Sequence, residues 1–533
     1  MAGFPVPTRN TTATATQRAD NAEQIRITAA QNERSVAIPP HPVNGDEARY
    51  ETKVGSYSKG LPHNERGEVE PTAYQSLLTA LASGNVADFE KIVLGGTVPL
   101  VDPQAGIAFD LEGTDSQQLA IPPALPVASD AKAAESVELY WMALMRDVHF
   151  SHYESSELAA AACQELSSLS NFSRRLDGTA EPVTPQTLFR GFTAGDLIGP
   201  YISQFLYQTL EFGAAQIVQR FQTLLPFSKG GTDWMTDFPS WLDCQNGVGD
   251  LAAAWSTPSA APNRLDKVRR YVRCGRDIAQ YVHVDVLFEA YFNACLFLID
   301  AGAPKNPGNP YLGSKTQTGF GTFGSPHIKT VVAEVATRAL KAVWFQKWFV
   351  HRALRPEAYG GLVHNALSGV PQEAALPATI LNSQAVQLCF SRNGTYLLPH
   401  AFPEGCPQHP TYAQGHGTVA GACTTVIKAF FDESWQIPNP VAPNEEGTHL
   451  LDYQGTDALT LGGELNKLAA NIALGRNHAA VHFRSDYNQS LLLGERVATA
   501  ILQDQLATYN ELPVIQAKGW NFTGFQGNTI KLA

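Results

Sequence analysis

The chain has 533 residues, of which 44% are hydrophobic, 10% aromatic and 17% charged, and its formal net charge is −12. These proportions suffice for a sizeable hydrophobic core, and the negative charge argues against nucleic acid or an anionic membrane as a general partner. No secretory signal is visible and no run of 18 apolar residues occurs, so we expect a cytoplasmic protein without a membrane span.

Residues 1–255 are predicted to pass from an arm into a helical bundle. Residues 1–70 are polar and have few aromatic anchors, which predicts an extended arm with a short hairpin over 41–57. Helical periodicity at 72–95 and 131–168 then predicts a first bundle over 71–255.

Residues 256–533 are predicted to form a second bundle that ends in a short hairpin. The helical patterns cover 264–302, 327–354, 416–431, 462–475 and 484–505. The pattern at 264–302 is the longest without interruption, and sustained period-two alternation is almost absent. The fold class is therefore predicted as mainly α: two four-helix bundles in one large domain, with minor short hairpins.

The seven cysteines are widely spaced, odd in number and without a Cys-x-x-Cys pair. This pattern argues against a disulfide framework, although Cys389 and Cys406 flank a loop and form a candidate pair. Several cysteines lie in apolar helical patterns, where Cys behaves as a small hydrophobic residue.

Two cations, Lys347 and Arg355, lie at the end of a predicted helix and just past it. Because they project from different positions, they can converge on one ligand, the arginine with a planar fork and the lysine with a point charge. Taken alone, this segment favours two solvated side chains.

A Gly415-His416 step opens the helix pattern at 416–431. The free N–H groups of a helix N-terminus attract anions, and glycine allows the backbone to approach a ligand closely. His416 would then exchange a proton beside a bound oxyanion. The alternative is a histidine that merely caps its helix.

The segment GRNHAAVHFRSD places Arg476 and His482 six residues apart, about 240° around a regular helix. If both residues contact the same ligand, the helix must break between them. Asp486 follows His482 by four residues, a spacing suited to a carboxylate that orients the imidazole. His478, His482 and Asp486 also form a series that could bind a divalent metal.

Together these segments resemble the vanadium-dependent haloperoxidases, which share an anion pocket with the type 2 phosphatidic acid phosphatases and the class A bacterial acid phosphatases. The pattern has three parts: Lys347-x7-Arg355-Pro356, Gly415-His416, and Gly475-Arg476-x5-His482-x3-Asp486. Longer segments such as VHVDVLFEAYFNAC and GGELNKLAANIALGR resemble the bacterial haloperoxidase group, so the resemblance covers roughly residues 72–505.

The resemblance implies vanadate as cofactor and gives each residue of the pattern a role. His482 would bind vanadium, and His416 would be the acid–base residue. The cofactor's oxygens would be held by Lys347, Arg355, Arg476 and the N–H of Gly415. Asp285 falls where the family places a carboxylate that supports the second arginine. The implied reaction uses hydrogen peroxide to oxidise halide to hypohalous acid or an equivalent, which halogenates small organic substrates, and the expected assembly is a homodimer.

One position departs from the family pattern, and two others bear on halide choice. Gln414 stands where many relatives have a serine that donates a hydrogen bond to the oxyanion, and its longer side-chain amide is the expected donor to the cofactor in that place. Trp344 resembles the fungal chloroperoxidases and His409 the bromoperoxidases, and bromide is favoured because it is easier to oxidise than chloride.

Two other functions remain open on the residues alone. One is an acid phosphatase in which His482 attacks phosphorus and His416 protonates the leaving group. The other is a non-catalytic protein that binds an oxyanion.

Overall fold

Helices make up most of the regular structure in this computed structural model, which describes residues 13–248 and 264–533. The α-helices are α1 (Ala15–Ser35), α2 (Asp46–Arg49), α3 (Pro71–Ser83), α4 (Val86–Phe89), α5 (Asp130–Leu144), α6 (Glu157–Ser168), α7 (Phe238–Gln245), α8 (Gly275–Val284), α9 (Glu289–Asp300), α10 (Ser325–Trp344), α11 (Pro356–Leu367), α12 (Ala378–Leu381), α13 (Gln384–Asn393), α14 (Gly415–Phe430), α15 (Leu461–His478), α16 (Arg484–Leu506) and α17 (Leu512–Lys518). The mainly α prediction is confirmed.

The described strands are short and form four antiparallel pairs. They are β1 (Leu210–Phe212), β2 (Ala215–Ile217), β3 (Phe221–Leu224), β4 (Leu265–Arg270), β5 (Val441–Pro443), β6 (Leu450–Asp452), β7 (Asn521–Thr523) and β8 (Thr529–Lys531). Successive strands pair in order, and β7 with β8 is the predicted C-terminal hairpin. Single 3-10 turns occur at Pro103–Ile107, Ser116–Gln118, Phe150–His152, Gln204–Leu206 and Phe227–Lys229, and a π-helical segment, Phe345–His351, continues α10.

Four helices, α10, α14, α15 and α16, pack on one another around the larger hydrophobic core. Helices α14 and α16 approach closely because each has a glycine at the contact. A side chain at Gly421 would lie 2.2 Å from the carbonyl oxygen of Leu491, and one at Gly494 would lie 2.0 Å from that of Thr418. Neither position tolerates a Cβ without moving backbone.

A second core joins α5 and α6 to α11, α12 and α13. Its helices come from both sides of residue 255, because the chain returns to α5 after the π-helical segment. The predicted division into bundles over 71–255 and 256–533 therefore does not describe the packing.

The N-terminal region differs from the predicted extended arm. Residues 15–35 form the helix α1, whose N-terminus is closed by a capping box between Thr14 and Gln17. The predicted hairpin over 41–57 is replaced by the single turn α2 and irregular backbone.

The predicted uninterrupted helix at 264–302 is wrong. The segment begins as strand β4 and then forms α8 and α9, which meet at an angle of 95°. Asp285 ends α8 in an extended conformation, and no glycine or proline lies between the helices to signal the break. No single described helix meets the length and hydropathy of a membrane span; the bent pair α8 and α9 meets them only jointly.

All seven cysteines are buried and free, including the candidate pair Cys389 and Cys406. They serve as small core residues, in agreement with their apolar sequence context.

Candidate active site

Two of the three sequence segments predicted to share a ligand, those with His416 and with Arg476 and His482, meet at one cavity of about 340 Å³. Lys347 and Arg355 lie behind its lining, where Arg355 contacts His409 and His482. Seven predicted site residues line it: Asp285, Trp344, His409, Gly415, His416, Arg476 and His482. The break predicted between Arg476 and His482 is confirmed, since α15 ends at His478 and α16 begins at Arg484. That break brings both side chains to the same cavity.

Lys347 lies in the π-helical segment, and its side chain is fully buried. Its Nζ donates to the carbonyl oxygens of Pro410 (2.6 Å) and Thr411 (2.8 Å), so the lysine is fixed to the loop before α14. Burial, and next the charge of Arg355, lower the pKa of Lys347 well below its ordinary value. An anion beside this ammonium would stabilise its charged form.

Arg355 immediately precedes α11 and is also buried. Its Nε donates to the carbonyl oxygen of His409 (2.8 Å), and Nη1 donates to that of Val481 (2.8 Å) and to Nε2 of His482 (3.0 Å). The guanidinium thus joins the loop before α14 to the break between α15 and α16.

Arg476 lies in the last turn of α15. Its Nη1 donates to the carbonyl oxygen of Val282 (2.7 Å), and its guanidinium lies 5.4 Å from the ring centre of Phe402. Burial, and next the charge of Arg355, lower its pKa to about 10. Its Nε is buried and has no hydrogen-bond partner among the described residues, so this arginine retains a donor for a ligand.

None of these three cations forms an ion pair within the ranges that the structure describes. The nearby carboxylates of Asp285 and Asp486 pair with His416 and His482 instead. Burying cations without a counter-charge costs several kcal/mol for each ion. The arrangement therefore has the electrostatics of an anion site.

His482 follows the end of α15 and is held from both ring nitrogens. Nδ1 lies 2.7 Å from Oδ2 of Asp486, which accepts its proton, and Nε2 accepts from Arg355. Burial, and next the charges of Arg355 and Lys347, lower the pKa of His482 well below its ordinary value. The ring is therefore neutral, and the lone pair of Nε2 faces the cations, as a metal ligand requires.

His416 lies in the first turn of α14 and pairs with Asp285 across the cavity wall, with Nε2 3.0 Å from Oδ1. Burial lowers the pKa of His416, and the carboxylate opposes that effect. The sequence predicted that Asp285 supports an arginine, whereas its hydrogen bond goes to the histidine. The break after α8 explains this, because it directs residue 285 toward α14.

Gln414 does not line the cavity. Its fully buried amide donates from Nε2 to the carbonyl oxygen of Ala473 in α15 (2.7 Å). The structure gives it a packing role between α14 and α15, in place of the predicted contact with the oxyanion. Gly415 does line the cavity, and a Cβ there would lie 3.2 Å from the Trp344 ring.

Trp344 and His409 form one wall of the cavity, with ring centres 4.7 Å apart. The indole Nε1 donates to the carbonyl oxygen of Val101 (3.1 Å), and the imidazole of His409 accepts from Nη2 of Arg355 (2.9 Å). Both positions proposed for halide choice therefore face the same space as His416.

The alternative divalent-metal site of His478, His482 and Asp486 does not form, because the His478 side chain does not face His482. Its Nε2 lies 3.3 Å from the hydroxyl of Tyr201, outside the cavity lining. Elsewhere in the described ranges, Glu357, His400 and Cys406 come close enough to share an ion, but Lys59 already pairs with Glu357 at 3.0 Å.

Three residues of the site were not singled out from the sequence. Thr411 donates from Oγ1 to Asp486 (2.5 Å) and so orients the carboxylate that holds His482. His283 and Glu404 line the cavity as a second histidine–carboxylate pair. All three lie in segments that carry the family resemblance, but only the tertiary contacts give them roles.

Comparisons with known proteins identify relatives along nearly the whole chain. The vanadium-dependent bromoperoxidase of Corallina pilulifera is 34% identical over 609 aligned residues, covering 97% of this chain and 98% of its own. The vanadium-dependent bromoperoxidase of Ascophyllum nodosum is 33% identical over 540 aligned residues, which cover 97% of this chain and 92% of the relative. The chain belongs to the vanadium-dependent haloperoxidase family. No protein-family model matches the sequence.

A solved structure extends this haloperoxidase assignment to the fold. The homohexameric second vanadate-dependent bromoperoxidase of Ascophyllum nodosum aligns with a TM-score of 0.87 and 30% identity, covering 100% of this chain and 93% of that one. Haloperoxidase architecture is thus shared from end to end.

The residues present fit a vanadate ion. Among the described residues, Arg476 has a buried donor without a partner, the three buried cations have no counter-charge, and His482 directs the lone pair of Nε2 at Arg355. A trianionic or dianionic tetrahedral oxyanion supplies what each of these groups lacks.

Proposed function

We propose that this protein is a vanadate-dependent bromoperoxidase, which uses hydrogen peroxide to oxidise bromide to hypobromous acid or an equivalent, with small organic molecules as the final acceptors. The observation that carries this proposal is the state of His482. Asp486 accepts a hydrogen bond from Nδ1–H, so Nε2 presents its lone pair to a cluster of buried cations that form no ion pair with any described residue. The full-length relatives, all bromoperoxidases, support bromide as the halide.

When bound, vanadate supplies a Lewis acid that activates hydrogen peroxide without a change of metal oxidation state. Nε2 of His482 would bind the vanadium. The oxygens of the vanadate ion would be held by Lys347, Arg355, Arg476 and the N–H of Gly415. Gln414 takes no part in this set, because its amide is used by Ala473.

His416 is positioned to move protons during the reaction. Asp285 accepts from Nε2 of the ring, so Nδ1 is the atom that exchanges a proton with peroxide. Because burial lowers the pKa of His416, the ring is neutral at pH 7 and acts first as a base. It then returns the proton to the oxygen that leaves.

The cavity wall suits a large polarisable halide and an apolar acceptor. Beside Trp344 and His409 it contains the side chains of Val282, Val284, Leu287 and Leu340. An apolar wall desolvates an entering anion, and desolvation costs less for bromide than for the smaller chloride.

The test uses vanadate-free protein supplied with orthovanadate, hydrogen peroxide and bromide or chloride, with bromination or chlorination of monochlorodimedone as the readout. We expect bromination that depends on vanadate, is lost in His482→Ala and is retained in His478→Gln, a matched change four residues away. Hydrolysis of p-nitrophenyl phosphate without any bromination would instead identify the acid phosphatase.

We further infer that copies of this chain assemble with one another. The sequence suggested a dimer, whereas the solved relative is a homohexamer. Light scattering coupled to size-exclusion chromatography distinguishes a dimer from a hexamer, and a monomer at micromolar concentration would contradict assembly.

A further inference from the structure

A second histidine–carboxylate pair, His283 with Glu404, shares the cavity with His416. His283 lies in the last turn of α8 and Glu404 in the loop before α14, and Nε2 of the ring is 2.6 Å from Oε1 of the carboxylate. The two side chains are 18% and 11% exposed, whereas His482 is 2% exposed. The pair therefore lies between the interior of the site and the solvent.

The orientation of this pair is fixed from several sides. The His283 ring stacks on Phe402 with ring centres 3.9 Å apart and planes 12° from parallel. The backbone oxygen of Glu404 accepts from Nζ of Lys59 (2.8 Å) and Sγ of Cys244 (3.0 Å). Since the carboxylate accepts a hydrogen bond from Nε2–H, Nδ1 is the ring atom left to receive and release protons.

The reaction of the proposed function requires a proton from outside. In H2O2 + Br− + H+ → HOBr + H2O, the O–O bond breaks and one oxygen bonds to bromine, which loses two electrons. The other oxygen leaves as water. The proton that His416 removes from peroxide and returns does not supply this H+, so one further proton must enter from solvent in each turnover.

Two other histidines of the cavity are poorly placed to carry it. His409 and His482 are both buried and both accept hydrogen bonds from the Arg355 guanidinium. His283 and His416 each have a carboxylate partner and partial side-chain exposure, 18% and 16%, and His416 is already used for the proton exchanged with peroxide. The charged and titratable groups that share the cavity with His283 are Glu404 and Asp285, His416 on α14, Arg476 on α15, and the buried histidines His409 and His482.

We propose that His283 carries the consumed proton from solvent into the cavity, and that Glu404 is the positioning residue that sets its tautomer. The inference rests on the proposed function. It adds a second acid–base pair whose role is separate from that of His416 and from the binding of vanadate.

The test compares Glu404→Gln and His283→Gln with Glu445→Gln. The last variant changes a remote pair, since Glu445 lies 3.2 Å from His152 on the surface. We expect kcat for bromination to fall roughly 10²-fold in the first two variants, the loss typical of a missing acid–base group. The control keeps the wild-type rate. Added imidazole restores the rate of His283→Gln, and the acidic limb of the kcat profile moves in Glu404→Gln.

Vanadate affinity of the vanadate-free variants, measured by calorimetry, separates a proton carrier from a structural support. We expect it to stay within threefold of wild type. If affinity falls together with kcat, the pair merely supports Arg476 through Phe402, and the inference is overturned. Unchanged kcat in both variants overturns it as well. A wild-type protein that fails to brominate overturns the proposed function itself.

Discussion

The Asp486 carboxylate determines how well His482 serves as a ligand. Oδ2 accepts from Nδ1 of His482 (2.7 Å), Oγ1 of Thr411 (2.5 Å) and the N–H of Phe483 (3.1 Å). Oδ1 is buried and has no hydrogen-bond partner in the described parts of the chain. An asparagine can therefore place its oxygen where Oδ2 lies and its NH2 where Oδ1 lies. The variant Asp486→Asn keeps the geometry and removes the charge.

We expect this single change to weaken vanadate binding by roughly 10- to 100-fold, the usual effect of altering the partner of a metal-ligating histidine. The factor corresponds to about 1.4–2.8 kcal/mol, comparable to the net contribution of a hydrogen bond to a charged group. The physical cause is a less basic Nε2, because the neutral amide no longer stabilises positive charge on the ring.

The assay titrates vanadate-free Asp486→Asn with orthovanadate and follows both binding heat and bromination rate. Asp196→Asn is the matched control, since this buried carboxylate accepts from the N–H (2.8 Å) and Oγ1 (2.5 Å) of Thr193 outside the cavity lining. The Asp196→Asn variant should reach half-saturation at the same vanadate concentration as the wild-type protein. A half-saturation within threefold of wild type in Asp486→Asn would refute the proposed coupling.

Three further outcomes follow from the structure. Arg476→Ala should lower vanadate affinity by roughly 10- to 100-fold in calorimetry, since it removes a charged donor, and an unchanged affinity would place the ligand elsewhere. Gln414→Ala should lower the free energy of unfolding in urea by about 1 kcal/mol through loss of the Ala473 hydrogen bond, with vanadate affinity within twofold. Burial lowers the pKa of His351 and of His478 to about 3, so both stay neutral when folded and gain a proton on unfolding below about pH 6.5. Stability should therefore fall as the pH drops from 6.5 toward 3, by about 2 kcal/mol for each histidine at pH 5, and His351→Phe should remove its share in urea titrations at pH 7 and 5.

The sequence predicted the site best where spacing along one or two turns of helix decides the geometry. Arg476 and His482 would lie about 240° apart around a regular helix, so two residues that share one ligand require a break between them, and α15 does end at His478. Asp486, four residues after His482, was predicted to orient the imidazole for the same reason, and it does so.

Predictions failed where two distant segments meet. The 264–302 pattern is apolar on both sides of Asp285, so periodicity could not reveal that α8 and α9 meet at 95°. The break decides that Asp285 reaches His416. Gln414 was misjudged similarly, because its partner Ala473 lies 59 residues away along the chain.

By itself, the sequence determined the helical class and pointed to the cations and the two histidines of the candidate site, since periodicity and charge are local properties of the chain. The separate roles of His482 and His416 are implied by the family resemblance. Only the tertiary structure decided which carboxylate pairs with which histidine, that helices from both sides of residue 255 share a core, and that His283 and Glu404 face the cavity. Those features depend on the directions in which helices leave their breaks, and such directions are set by packing between segments far apart in the chain.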